Sequence, residues 1–248
     1  AKRCRTVLYL HGNAETRFYQ TEKLKWWHEA AKADVVTFDY RGFADSKCGR
    51  KAFQSCVTEV ALYEDAYMMF KWLTNSHAEK GMGIDPKCVI VHAHSLGTAI
   101  ATRVVAKLTA EGRAPGGLIL ESPLISVWDT VLNSPMSPVS YLPGILQSGI
   151  SHMWVPRLYH RFEHKMAVKD ISSPVLFLHG EKDTLLPPHI STELYKIREE
   201  TGNKCEEEGK VTRCTDFFTL PEATHHNVMQ QLQSKVKTLD YAKRIWGK

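Results

Sequence analysis

A chain of 248 residues sits at the upper end of what one hydrophobic core fills, so a single domain over 1–248 is expected. With 43% hydrophobic, 10% aromatic and 24% charged residues it falls outside the disordered, collagenous and charged-tail classes. The net charge of +5 is scattered through all segments rather than gathered on one helix, so no nucleic-acid partner is expected.

In chain order, short aliphatic runs alternate with longer helical patterns. Strands are predicted over 5–10, 34–40, 87–92, 117–121, 174–179 and 215–220. Their apolar runs are continuous, as in strands covered on both faces. Helices are predicted over 17–33, 57–75, 97–109, 189–199 and 228–246; the second carries apolar residues at Val60, Leu62, Tyr63, Ala66, Met69, Phe70 and Leu73, a helical spacing. Such alternation implies an α/β fold, a mostly parallel sheet flanked by helices.

About fifty residues separate the strand ending at Glu121 from the one starting at Pro174, and they are rich in Pro, Ser, Trp and Tyr. A connection of that length reads as a cap or lid over 123–170. Its apolar side chains, Trp128, Ile145, Met153 and Trp154 among them, are candidates for an acyl pocket. The longest stretch free of charged residues, 130–156, is broken by Pro135, Pro138, Pro143 and Pro156 and does not read as a membrane span. The chain opens at Ala1 directly before its first strand, which reads as a piece of something longer, with any targeting signal or anchor upstream.

None of the six cysteines is spaced C-x-x-C, so neither a metal nor any other cofactor is expected. Cys48 and Cys56 bracket one loop and Cys205 and Cys214 another; two short-range disulfides and free thiols are both compatible with that spacing.

The strongest chemical signal runs from Val89 to Ala99. An aliphatic strand enters the turn Ala93-His94-Ser95-Leu96-Gly97 and then a helix of small residues, the context of a nucleophile elbow. Residues two before and two after the serine must be small, and Ala93 and Gly97 are. The bland alternative is a serine capping a helix after a buried strand. Three features favour the nucleophile. The strand 5–10 ends in His11-Gly12-Asn13, where the Asn13 N–H could join the Leu96 N–H as an oxyanion hole, aided by the helix that follows the elbow. Asp39, Arg41 and Gly42 follow the next strand and read as structural bracing. Finally, Asp183 lies just past a late strand and His225-His226 past the last, giving the order Ser, acid, His. A serine hydroxyl needs an imidazole to take its proton and a carboxylate to hold that imidazole in the productive tautomer. Asp183 is preferred as the acid over Glu181 and Asp170. His226 is preferred as the base because a His-Asn pair before a helix resembles the usual ending of this motif, with His225 the second choice. His92 and His94 read as packed beside the elbow.

On H-G-N-A-x-T-R (11–17), V-V-T-F-D-Y-R-G (35–42), Asp45-Ser46, H-S-L-G-T (94–98) and L-I-L-E-S-P (118–123), the chain resembles α/β-hydrolases of the lysophosphatidylserine-lipase type, the α/β-hydrolase domain 12 group of membrane-associated serine lipases. It departs from that group at Ala93, which replaces the first elbow Gly, and at Glu15, which stands where Gly is usual; 126–162 and the loop 205–214 match poorly. The resemblance implies an esterase or lipase acting on a lysophospholipid or monoacylglycerol through an acyl-enzyme. It also implies membrane association through an upstream region, at the endoplasmic reticulum or another endomembrane. A protein palmitoyl thioesterase, with the same triad, and a catalytically silent interaction module are the competing expectations.

Overall fold

The structure, a computed structural model, describes residues 4–48, 57–127, 129–130, 141–143, 162, 164–200, 204–207 and 210–247. Strands β1 (Thr6–Leu10), β2 (Asp34–Thr37), β3 (Val89–His94), β4 (Gly117–Glu121) and β5 (Val175–Gly180) alternate with helices α1 (Thr21–Ala31), α2 (Glu59–Thr74), α3 (Leu96–Ala110) and α4 (His189–Glu199). They are followed by β6 (Lys204–Glu207), β7 (Lys210–Arg213), β8 (Thr215–Leu220) and α5 (Leu232–Trp246). Six strands form one sheet in the order β2-β1-β3-β4-β5-β8, every pair parallel.

The continuous apolar runs have a direct cause. Successive strand side chains point to opposite faces, and both faces are covered. Leu8, Val91, Leu120 and Phe177 pack on one side with Phe70 of α2, Ile100 of α3 and Leu194 of α4. Val7, Ile90, Ile119 and Leu176 pack on the other with Trp27 of α1 and Tyr241 of α5. Parallel pairing brings the carboxyl ends of β1, β3, β4 and β5 to one edge, where α/β sheets place their sites.

Several boundaries differ from expectation. Helix α1 starts at Thr21 rather than at residue 17, because Arg17 is drawn away to Asp39 and Asp45; its guanidinium bonds both carboxylates and its N–H donates to Asp39 at 2.6 Å. Strand β2 ends at Thr37, so Asp39 is free to receive that arginine. The segment read as a loop before the last strand forms the antiparallel hairpin β6–β7. Cys4 bonds to Cys88 across 84 residues, a pairing that the cysteine spacing did not signal. It exists because Thr6 of β1 pairs with Val89 of β3, which sets the two preceding cysteines side by side. Cys48 and Cys214 each take part in a disulfide as well.

Of the span 123–170, Phe162 packs on Tyr63 of α2 and donates its N–H to Glu59 at 3.0 Å, and Val168 is fully buried. Trp128, Ile145, Met153 and Trp154 lie outside the described residues. Among the described residues no helix is long and apolar enough to cross a membrane.

Candidate active site

Ser95 joins β3 to α3 at φ 50° and ψ −119°, a left-handed conformation that a non-glycine residue adopts only under constraint. Its N–H is tied to the Glu121 carbonyl at 3.0 Å. The turn works only with small flanks. Ala93 is fully buried, and a Cβ on Gly97 would stand 2.3 Å from the Leu10 carbonyl oxygen, a distance no side chain tolerates. The serine is thereby lifted to the carboxyl edge of the sheet, where the two loops that follow β5 and β8 can reach it.

Asp183 and His225 stand on those loops. The Ser95 hydroxyl lies 3.0 Å from His225 Nε2, and His225 Nδ1 lies 2.7 Å from Asp183 Oδ2. The other carboxylate oxygen of Asp183 accepts the Leu185 and Leu186 N–H groups at 2.9 and 2.8 Å. Burial opposes the Asp183 charge, but the hydrogen bonds from His179, His225 and the backbone outweigh it and hold the carboxyl well below the usual range. Burial is also the largest influence on His225 and lowers its pKa, with the Asp183 hydrogen bond working the other way. A neutral imidazole with Nδ1–H on the carboxylate and a bare Nε2 toward Ser95 is the form that can accept a hydroxyl proton.

The preference for His226 as base is therefore corrected. His226 is exposed, its Nδ1 is 4.0 Å from Glu15 Oε1, and among the described residues it bonds neither Ser95 nor Asp183. On this loop the two neighbouring histidines face opposite ways. Asn227 Oδ1 caps the Thr224 N–H at 2.7 Å, and the resulting turn aims residue 225 inward and 226 outward. His226 instead lines a cavity of about 500 Å³ with Tyr19, Lys25, Trp26, Met229 and Lys235.

The Leu96 N–H is the first of the 15-residue helix α3, at the positive end of its dipole, and has no protein acceptor among the described residues. Asn13 sits exposed on the turn after Gly12. Asp39 and Arg41 brace this region from outside: Asp39 holds Arg17, and Arg41 is clamped on Asp65 of α2 at 2.6 to 2.9 Å.

Beneath the serine lies a polar layer that the sequence did not announce. Lys23 Nζ donates to Glu121 Oε2 at 2.6 Å, His92 Nε2 reaches the same oxygen at 3.1 Å, and Trp27 Nε1 donates to His92 Nδ1 at 2.9 Å. The indole fixes the His92 tautomer, so Nε2 carries the proton. Glu15, noted only as a departure, is buried and accepts the Gly12 N–H at 2.8 Å and the Gln20 amide at 2.9 Å. His94, His225 and His226 have ligand atoms within 4.8 Å of one another. His94 Nε2 is already committed to the His225 carbonyl, and both nitrogens of His225 are engaged with Asp183 and Ser95.

The chain is 34% identical over 199 residues to lysophosphatidylserine lipase ABHD12 of Danio rerio, covering 77% of this chain and 46% of the relative. It is 33% identical to the Rattus norvegicus protein of that name, over 77% of this chain and 44% of the relative. Protein ABHD12B of Homo sapiens is 29% identical over 97% of this chain and 61% of its own length. The chain thus spans about half the length of the lipases it matches. Among solved structures, an α/β-hydrolase from Vibrio vulnificus superposes with a TM-score of 0.71 at 20% identity, covering 96% of this chain and 74% of that one. The Pyrococcus furiosus esterase Pf2001 does so at 0.69 and 19% identity, covering 99% and 84%. These two establish the fold. Residues 1–158 match the family model described as serine aminopeptidase, S33, so the chain belongs to that family of α/β-hydrolases.

Proposed function

We propose that this chain is the catalytic domain of a serine hydrolase that cleaves the carboxylic ester of a lipid, with a lysophospholipid or a monoacylglycerol as substrate, through an acyl-enzyme. The observation that carries the reading is the unbroken chain of contacts from Ser95 to His225 to Asp183. Ser95 Oγ attacks the ester carbonyl while His225 Nε2 takes its proton. Asp183 holds the ring and offsets the imidazolium charge, and the oxyanion is received by the Leu96 and Asn13 N–H groups. The imidazolium then returns the proton to the departing alcohol, and a water activated in the same way releases the fatty acid. A lipid substrate is favoured by the names of the relatives and by exposed Phe18 and Tyr19 a few residues beyond Asn13, which suit contact with a lipid surface. The span 123–170 serves as the cap in this reading. The test is labelling with a fluorophosphonate, followed by a panel of acetyl, medium-chain and long-chain esters of glycerol and lysophospholipids. Labelling of the parent but not of Ser95→Ala, with kcat/KM rising with chain length, is expected. A parent that is not labelled, or a Ser95→Ala variant within tenfold of it, overturns the proposal.

A further inference from the structure

Glu15 and His94 lie outside the triad, yet together they touch both of its working loops. Glu15 Oε2 accepts the N–H of Gly12, the residue before Asn13, at 2.8 Å. Glu15 Oε1 lies 3.1 Å from His94 Nδ1, an ion-pair contact rather than an aligned hydrogen bond, and is fixed by Gln20 Nε2 at 2.9 Å. The opposite nitrogen of His94 lies 2.9 Å from the carbonyl of His225. The packing leaves no slack: a Cβ on Gly12 would meet Glu15 Oε2, His94 Nδ1 and Ser95 Cβ, each at 3.2 Å.

We propose that Glu15 and His94 are positioning residues, a buried brace that fixes the Gly12–Asn13 oxyanion loop and the His225 loop at one spacing across Ser95. The proposal rests on the triad reading above. His94 hydrogen-bonds the His225 carbonyl at Nε2 and faces the Glu15 carboxylate at Nδ1 as an ion-pair contact, surroundings that favour a doubly protonated ring. Burial is the largest influence on His94 and opposes that charge, as do Lys23, His92, His11 and His225, while Glu15 and Glu121 favour it; the two carboxylates together prevail and raise the His94 pKa. Glu15 itself is held down at about 2. The titratable groups facing His225 are Asp183, His94 and His226, and a proton on His94 makes His225 harder to protonate. The brace therefore does two things: it sets geometry, and it keeps the base neutral toward lower pH.

The experiment uses Glu15→Gln, which retains an acceptor for Gly12 but loses the charge, and His94→Gln, which retains a donor toward the His225 carbonyl. Rates are normalised to sites titrated with fluorophosphonate, so loss of folded protein does not count as loss of turnover. Each variant should lose about tenfold in kcat with KM within about twofold, as expected when reacting groups drift by a fraction of an ångström. The acid limb of kcat/KM should move upward by about half a pH unit as the charge beside His225 is removed. The double variant should be no worse than the poorer single one, because both substitutions break one contact, and Glu15→Asp should recover part of kcat. Parental kcat per titrated site with an unmoved acid limb, or additive losses in the double variant, would overturn the brace while leaving the triad intact. A parent that fluorophosphonate does not label would instead remove the triad reading on which the brace stands.

Discussion

Ser95 Oγ and His225 Nε2 stand 3.0 Å apart, while the adjacent His226 turns its ring to solvent. One position along the chain thus separates the imidazole that faces Ser95 from a surface imidazole. His225→Ala should lower kcat by roughly three orders of magnitude or more, matching Ser95→Ala, since triad members act as a unit. His226→Ala should stay within a few-fold of the parent. Steady-state kinetics on a chromogenic ester decide it, and a dead His226 variant beside an active His225 variant would reverse the assignment.

That exchange of neighbours shows where the sequence stops being legible. The strand-turn-helix around Ser95 could be read because the elbow imposes its own steric rule: Ala93 and Gly97 must be small, and only a strand entering a helix satisfies that rule. Asp183 could be read for a related reason, a carboxylate one short loop past a buried strand. The loop 221–227 has no periodicity, so nothing in its residues says which of two histidines points inward; the capping of Thr224 by Asn227 is visible only in three dimensions. The same holds for Glu15 and Lys23. A glutamate on a loop and a lysine in an amphipathic helix look like solvent-facing residues until folding brings His94 and Glu121 against them. The pairing of Cys4 with Cys88 likewise needed strand order, which spacing alone does not provide.

Burial lowers the pKa of His225 below its ordinary 6.5. The base works only when neutral, so activity is lost as pH falls through that lowered value and is complete above it. The acid limb of kcat/KM, which reports the free enzyme, should therefore have its midpoint below pH 6.5. A midpoint at 7 or above in a pH–rate profile would show that Asp183 outweighs burial at this ring.

The Cys4–Cys88 bond closes a loop of 84 residues and joins the amino ends of β1 and β3, the end of the sheet away from Ser95. A closure of that length is worth about 4.5 kcal/mol in the chain-entropy account. The paired replacement Cys4→Ser with Cys88→Ser should lower unfolding free energy by about that amount in denaturant titrations, while kcat per titrated site stays near the parent's. A large loss of kcat in folded protein would mean that the bond shapes the site itself.

Lys23 and Glu121 form an ion pair with side chains 5% and 0% exposed, directly under the elbow whose N–H the Glu121 carbonyl holds. Burial works against the Glu121 charge, and Lys23 is the main group that overcomes it, with His92 assisting, so the carboxyl sits far below its usual 4.5. Two charges held in so dry a place need not stabilise the fold relative to apolar residues, but removing one strands the other. Lys23→Met should therefore cost about 3–5 kcal/mol, near 10 °C in Tm for a domain of this size. The sign with pH follows from the same logic. In the parent the pair is intact at all pH values well above the lowered pKa. In Lys23→Met the stranded carboxylate has its pKa raised by burial, so it takes up a proton as pH falls toward 4.5, and the gap to the parent should narrow there and be widest near neutrality. Adding Glu121→Gln should recover part of the loss at pH 7, because a neutral amide no longer needs a counter-charge and its oxygen can still accept the His92 Nε2–H. Calorimetry at pH 5 and 7 on the single and double variants measures both effects. A Lys23→Met variant that melts with the parent at both values would show that water reaches Glu121 and that the pair is not buried in solution.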